Sequence, residues 1–267
     1  MNKHYDENLE ENEIIEAGEF IEEYEECEET YEEEYEEEYE DDEFDEDGEY
    51  DDDNDEYSDE DDEPVETLGW DAITEAFEKI YPGQEDPKHY GVMIPWMFGG
   101  KDPLEGISIY DAGDYWHFVT YGLSELYEKE SENLEYSGYG MEFTLKLKKG
   151  CYEDEEAEIR GLCGILQSIA RITFQSGEIF DVFEYLYTGQ TEGMDVEQKS
   201  KITGFITIPD EKAGSEILTP NGKVTFVEFI GATDAELTKI KNKEMTVRQL
   251  YDKLGSDLTD YKRDSVV

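Results

Sequence analysis

The sequence predicts an α+β fold over residues 65–267, a mainly antiparallel sheet with packed helices, preceded by a disordered acidic tail over residues 1–64. Three observations carry this. Residues 1–64 hold 37 of the chain's 75 Asp and Glu but one of its 21 Lys and Arg. Such a stretch cannot bury enough apolar surface to offset chain entropy and self-repulsion. From Leu68 onward, apolar residues recur at helical spacing in some segments and alternate in others. These segments are interspersed without the regular strand–helix alternation of a parallel sheet.

Trp70, Ile73, Phe77 and Ile80 share one side of an amphipathic helix over residues 68–80, which Pro82 and Gly83 terminate. Short strands are expected at Val92–Phe98, Ile107–Tyr110 and Tyr115–Tyr121, separated by Gly99, Gly100, Pro103 and Gly113. Met141, Phe143, Leu145 and Leu147 alternate with Glu142, Thr144, Lys146 and Lys148, which predicts a strand with one buried and one wet face. A helix over 154–174 follows, its acidic first turn suited to the positive end of the helix dipole. Further strands are expected at 180–187, 202–208 and 223–230, with Thr219, Pro220, Asn221 and Gly222 as a turn. Thr233 with Glu236 and Thr246 with Gln249 read as capping boxes opening two terminal helices, the second ended by Gly255.

Within the tail, Phe20, Tyr24, Cys27, Tyr31, Tyr35 and Tyr39 have the spacing of one helix face. The Glu residues around them would repel at i, i+4, so that helix requires a cationic surface to form. Glu43–Asn54 resembles a calcium loop only in Asp45, Asp47 and Gly48; Glu43 and Asn54 replace the first and last ligands.

The charge also bounds function. A chain of formal net charge −54 is repelled by nucleic acid and anionic membranes and attracts basic proteins. Three scattered cysteines, Cys27, Cys151 and Cys163, form no CxxC pair, which points to a reducing, cytoplasmic setting and no structural zinc. Met1–Glu10 has neither basic region nor apolar run, so no signal peptide is expected, and no apolar stretch reaches membrane-spanning length. No nucleophile–base pair, phosphate loop or G-x-S-x-G element is present, so no catalytic residues, cofactor or metal ligands are assigned. His117, between Trp116 and Phe118, reads as a packed, hydrogen-bonded residue, with a general base as the alternative.

Two segments in order, Trp96-Met97-Phe98-Gly99-Gly100-Lys101-Asp102-Pro103-Leu104 and Tyr115 through Tyr127, are similar to the suppressor of fused domain. The likeness continues through Ser137–Thr144 and Thr219–Phe226, and covers roughly residues 67–267, leaving the tail outside. The resemblance implies a non-enzymatic protein-binding module. Animal members hold zinc-finger transcription factors and grip a peptide as an added strand between two domains; this chain ends soon after the first, so a single-domain type is expected. Single-domain bacterial relatives include immunity proteins, which implies an immunity-type protein that neutralises a basic toxin, such as a nuclease. Matching the family's peptide-contact region, Trp116, Phe118 and Tyr121, with Glu125, Glu128 and Glu130 beyond them, are the candidate partner-binding residues; core packing is the alternative for the aromatics. The rival functions are an acidic-tail polyanion that mimics nucleic acid or chaperones basic proteins, and a generic cytosolic scaffold.

Overall fold

The computed structural model describes residues 14–16, 66–150 and 152–267. The aromatic series Phe20–Tyr39, the calcium-like loop Glu43–Asn54, Cys27 and Cys151 lie outside the described residues. The strands are β1 (Ile14–Glu16), β2 (Lys88–Gly91), β3 (Gly106–Asp111), β4 (Tyr115–Tyr121), β5 (Tyr136–Lys148), β6 (Tyr185–Tyr187), β7 (Ile202–Pro209), β8 (Glu216–Thr219) and β9 (Gly222–Thr233). The helices are α1 (Leu68–Ile80), α2 (Glu155–Ser176), α3 (Asp234–Lys241) and α4 (Val247–Leu254). One sheet runs β1-β6-β7-β9-β5-β4-β3-β2, with β8 paired to β9 as well. Only β1–β6 and β5–β9 are parallel among its pairings, so the architecture is α+β and mainly antiparallel, as the sequence predicts.

Both faces of the sheet are covered. On one, Leu162, Leu166 and Ile169 of α2 pack on Phe118, Leu145 and Phe229. On the other, Ile73 and Phe77 of α1 meet Tyr110, Val119 and Phe226 at one end. Leu237, Ile240 and Leu250 of α3 and α4 meet Ile206, Ile208 and Ile230 at the other. Neighbours such as Phe118 and Val119, or Phe229 and Ile230, serve opposite layers because successive strand residues point to opposite faces. The helix ends follow their expected chemistry. Asp154 accepts from the N–H groups of Glu156 and Ala157 at the start of α2, and both terminal helices open with complete capping boxes.

Four expectations change. Val92–Phe98 is no strand: pairing stops at Gly91, and Trp96–Phe98 forms a 3-10 turn in which Phe98 N–H donates to Pro95, which has no N–H for a ladder. The strand expected at 180–187 shrinks to Tyr185–Tyr187, because Phe183 takes a positive φ of 69°. The Thr219–Gly222 turn closes a hairpin whose first strand, β8, the alternation did not reveal. Most consequentially, the supposedly wet face of β5 is buried: Glu142 and Thr144 are 0% exposed and Lys146 is 1%, and only Lys148 reaches solvent. β5 sits in the middle of the sheet, between β4 and β9, so both its faces are covered.

Candidate partner-binding face and the charged seam behind it

The connection from β4 to β5, residues 122–135, is braced from beneath by two carboxylates. Glu142, fully buried, accepts hydrogen bonds from Thr120 Oγ1 (2.6 Å), Gly122 N (3.0 Å), Ser124 N (2.8 Å) and Ser124 Oγ (2.7 Å). Burial pushes its carboxyl up, those donors pull it back, and the net value is about 7. Glu125 closes the loop itself, accepting from Lys129 Nζ (2.7 Å), Glu130 N (2.8 Å) and Gly138 N (3.0 Å). Partial burial raises its carboxyl, but Lys129 and the backbone donors outweigh that and hold it down at about 2. Asn221, in the β8–β9 turn, donates to the carbonyls of Glu125 (2.9 Å) and Tyr127 (2.8 Å), and Gly69 at the start of α1 donates to Leu126 O (2.9 Å). Gly69 is required there, since a Cβ would lie 2.0 Å from Glu125 O. The braced loop presents Glu128, Glu130, Glu132 and Glu135 to solvent, together with Leu134, which is 86% exposed.

Deeper in the sheet lies a seam of ionisable groups between the α1 layer and the α3–α4 layer. Tyr81, just past α1, is 2.7 Å from His117 Nδ1, and His117 Nε2 is 2.7 Å from Asp210 Oδ2. Lys146 Nζ reaches Asp210 (3.1 Å), Glu228 (2.8 Å) and Asp257 (2.7 Å). Burial lowers the His117 imidazole more than Asp210 raises it, so the ring is neutral at pH 7. With Asp210 ionised, Nε2 carries the proton and donates to it, and Tyr81 O–H donates to Nδ1. Burial raises Asp210, but His117 and Lys146 outweigh it and its net shift is downward; Lys146 is driven up by its acids despite its burial. Glu228 is pushed well up, first by burial and then by Asp210. Asp210 already supplies a negative charge opposite the single Lys146 ammonium, so a further one on buried Glu228 is disfavoured, and its Oε1 has no hydrogen-bond partner. The Lys146 ammonium fills the place between these carboxylates. No group of three or more His, Cys, Asp or Glu is disposed to hold a metal ion among the described residues.

The seam is closed to substrate: His117, Asp210 and Glu228 are 0% exposed. His117 therefore matches the packed, hydrogen-bonded reading. Of the candidate partner-binding residues, Phe118 and Tyr121 lie in the two core layers at 0% and 1% exposure. Trp116 is half-buried, with Lys149 Nζ 3.7 Å from its ring centre. Glu125 is 12% exposed at its side chain and spent on the loop, whereas Glu128 and Glu130 are free in solvent. The structure thus gathers Glu125, Glu128 and Glu130 on one loop, buries Phe118 and Tyr121 in the core and leaves Trp116 half-buried. Sequence reasoning missed Glu142, Lys146, Asp210 and Glu228, because a single acid among 75 carries no signal and the alternation of β5 assigns its charged residues to solvent.

The family model for the suppressor of fused protein matches residues 100–264. The chain belongs to the suppressor of fused family. Human and mouse suppressor of fused homologs are each 28% identical to it over 183 residues, which is 63% of this chain and 36% of theirs. The chain therefore spans about a third of the length of these relatives. Two solved structures share the fold, each at 24% identity, a TM-score of 0.64 and 75% of this chain. One is described as the Sufu–Fu complex, where 93% of the matched chain is covered, and the other as Drosophila Suppressor of Fused, where 52% is covered. No helix of this suppressor of fused chain is long and apolar enough to cross a membrane among the described residues.

Proposed function

We propose that this suppressor of fused chain is a non-enzymatic, cytoplasmic protein-binding module whose partner is a basic protein, and that it acts as an immunity-type inhibitor of a basic toxin domain such as a nuclease. The observation that carries the reading is the acidic loop mounted on a rigid base: Glu128, Glu130, Glu132 and Glu135 are exposed on the same loop as exposed Leu134, and Glu125, Glu142 and Asn221 hold that loop in place. An exposed loop with charges of one sign suits a basic partner, and preorganisation reduces the entropy lost on docking. The membership of the family supports protein binding, and one solved relative is described as a complex with Fu. Glu128 and Glu130 are the residues assigned to direct contact; Trp116, Phe118, Tyr121 and Glu125 support the loop and sheet from within. A nuclease must present a basic face to phosphates, and an acidic inhibitor covers that face with fast, salt-sensitive association.

A second reading is favoured by the 37 acids of residues 1–64, which make that run a polyanion able to mimic nucleic acid or chaperone a basic client. A pull-down from the native cell at low salt, followed by inhibition assays with the full chain and with residues 1–64 deleted, tests both. Capture of a basic protein that both chains neutralise equally supports the loop-borne reading. Inhibition that vanishes with the deletion assigns the function to the acidic run. Failure to retain any basic protein at low salt overturns both.

A further inference from the structure

A basic surface lies on α3, α4 and their connection. Five of the 21 Lys and Arg fall between residues 239 and 253, namely Lys239, Lys241, Lys243, Arg248 and Lys253, against two acids, Glu244 and Asp252. Lys243, Arg248 and Lys253 are exposed, and Lys239, Lys243, Arg248 and Lys253 have no carboxylate partner among the described residues. These residues decorate α3, α4 and their connection, whose inner faces are packed on β6, β7 and β9. β6 is the strand that receives β1: Ile14, Ile15 and Glu16 pair in parallel with Tyr185, Leu186 and Tyr187. Tyr187, opposite Glu16, carries Lys241 Nζ 4.4 Å from its ring centre, and Arg248 lies 3.4 Å from the ring centre of Phe183 just before β6. β1 therefore ends at Glu16 beside this basic surface. The next 24 residues, 17–40, hold fourteen Glu and no Lys or Arg.

We infer that residues 17–40 dock on the outer face of α3 and α4, delivered there by the β1–β6 ladder and held by Lys239, Lys241, Lys243, Arg248 and Lys253. Charge complementarity selects this occupant, and the tether strengthens it, because a segment fixed at one end meets its site at a high effective concentration. In consequence the acidic run is partly neutralised within its own molecule, and a basic partner competes with α3 and α4 for it.

Zero-length carbodiimide cross-linking of the full chain, which joins carboxylates to amines in contact, tests this at low salt with peptide mapping of the monomer. The expected products join residues 17–40 to Lys239, Lys241, Lys243 or Lys253. They are lost at 1 M salt, where the screening length is about 3 Å. Ile15→Pro, which removes a backbone donor from β1, cuts their yield several-fold while the thermal melt of the body is unchanged. Products spread evenly over other lysines such as Lys88, Lys199 and Lys212, or found only between two copies, overturn the inference. No partner is present in the experiment, so its failure is separate from failure of the basic-partner reading.

Discussion

Lys146 shows how much one side chain carries in this protein. Its ammonium is the sole cation facing Asp210, Glu228 and Asp257 in the seam, and the first two have no solvent to fall back on. Removing one partner from a buried ion cluster leaves uncompensated charge, at about 3–5 kcal/mol. Lys146→Ala is therefore expected to lower the unfolding free energy measured in urea by that much, and a loss under about 1 kcal/mol would show that water enters the seam. Glu142 gives a pH signature. Its folded value near 7 lies above the 4.5 of a free Glu, so its stabilisation is complete below about pH 4.5 and is lost as pH rises through about 7. The amount is on the order of 3 kcal/mol. Glu158 and Glu228 are also raised and add in the same direction. His117 and His89, lowered by burial, oppose this below about pH 6.5, so stability should fall between about pH 6.5 and 8, and Glu142→Gln should flatten part of that slope.

At the scale of elements, the docking of α1 depends on a place where no Cβ fits. Gly69→Ala drives a methyl onto Glu125 O and should push α1 away from the loop, costing about 1–3 kcal/mol and lowering the melting temperature. The Asp154 cap is a milder test: Asp154→Ala leaves two N–H groups of α2 without their acceptor, for about 1 kcal/mol by denaturant unfolding. Most elements were legible because their signals are local. The α1 stripe, the alternation of β5, both capping boxes and the Pro220–Gly222 turn are all written in neighbouring residues. β8 was not legible, since Glu216–Thr219 is four residues long and exposes Leu218 at 83%. Of the candidate site, the loop acids were placed through the family resemblance, but that Glu125 is a brace and Glu128 a surface charge depends on which backbone N–H groups turn inward.

Across the whole molecule, charge organises binding. If a basic partner sits on the acidic loop and the acidic run, its affinity should fall about 10-fold or more between 50 and 500 mM salt, by calorimetry or surface capture. An affinity that ignores salt would point to Leu134 and other apolar contacts instead. Composition alone predicted that nucleic acid and anionic membranes are poor partners and marked where the acidic run ends, because net charge and hydrophobic periodicity are sums over neighbours in the chain. Only the tertiary structure decided that β5 is central, that its charged face closes a buried seam, and that β1 pairs with β6. Those facts rest on pairings such as Glu142 with Ser124, Lys146 with Glu228 and Ile14 with Tyr185. Contacts of that range leave no periodic mark, since each depends on which strands become neighbours in the sheet.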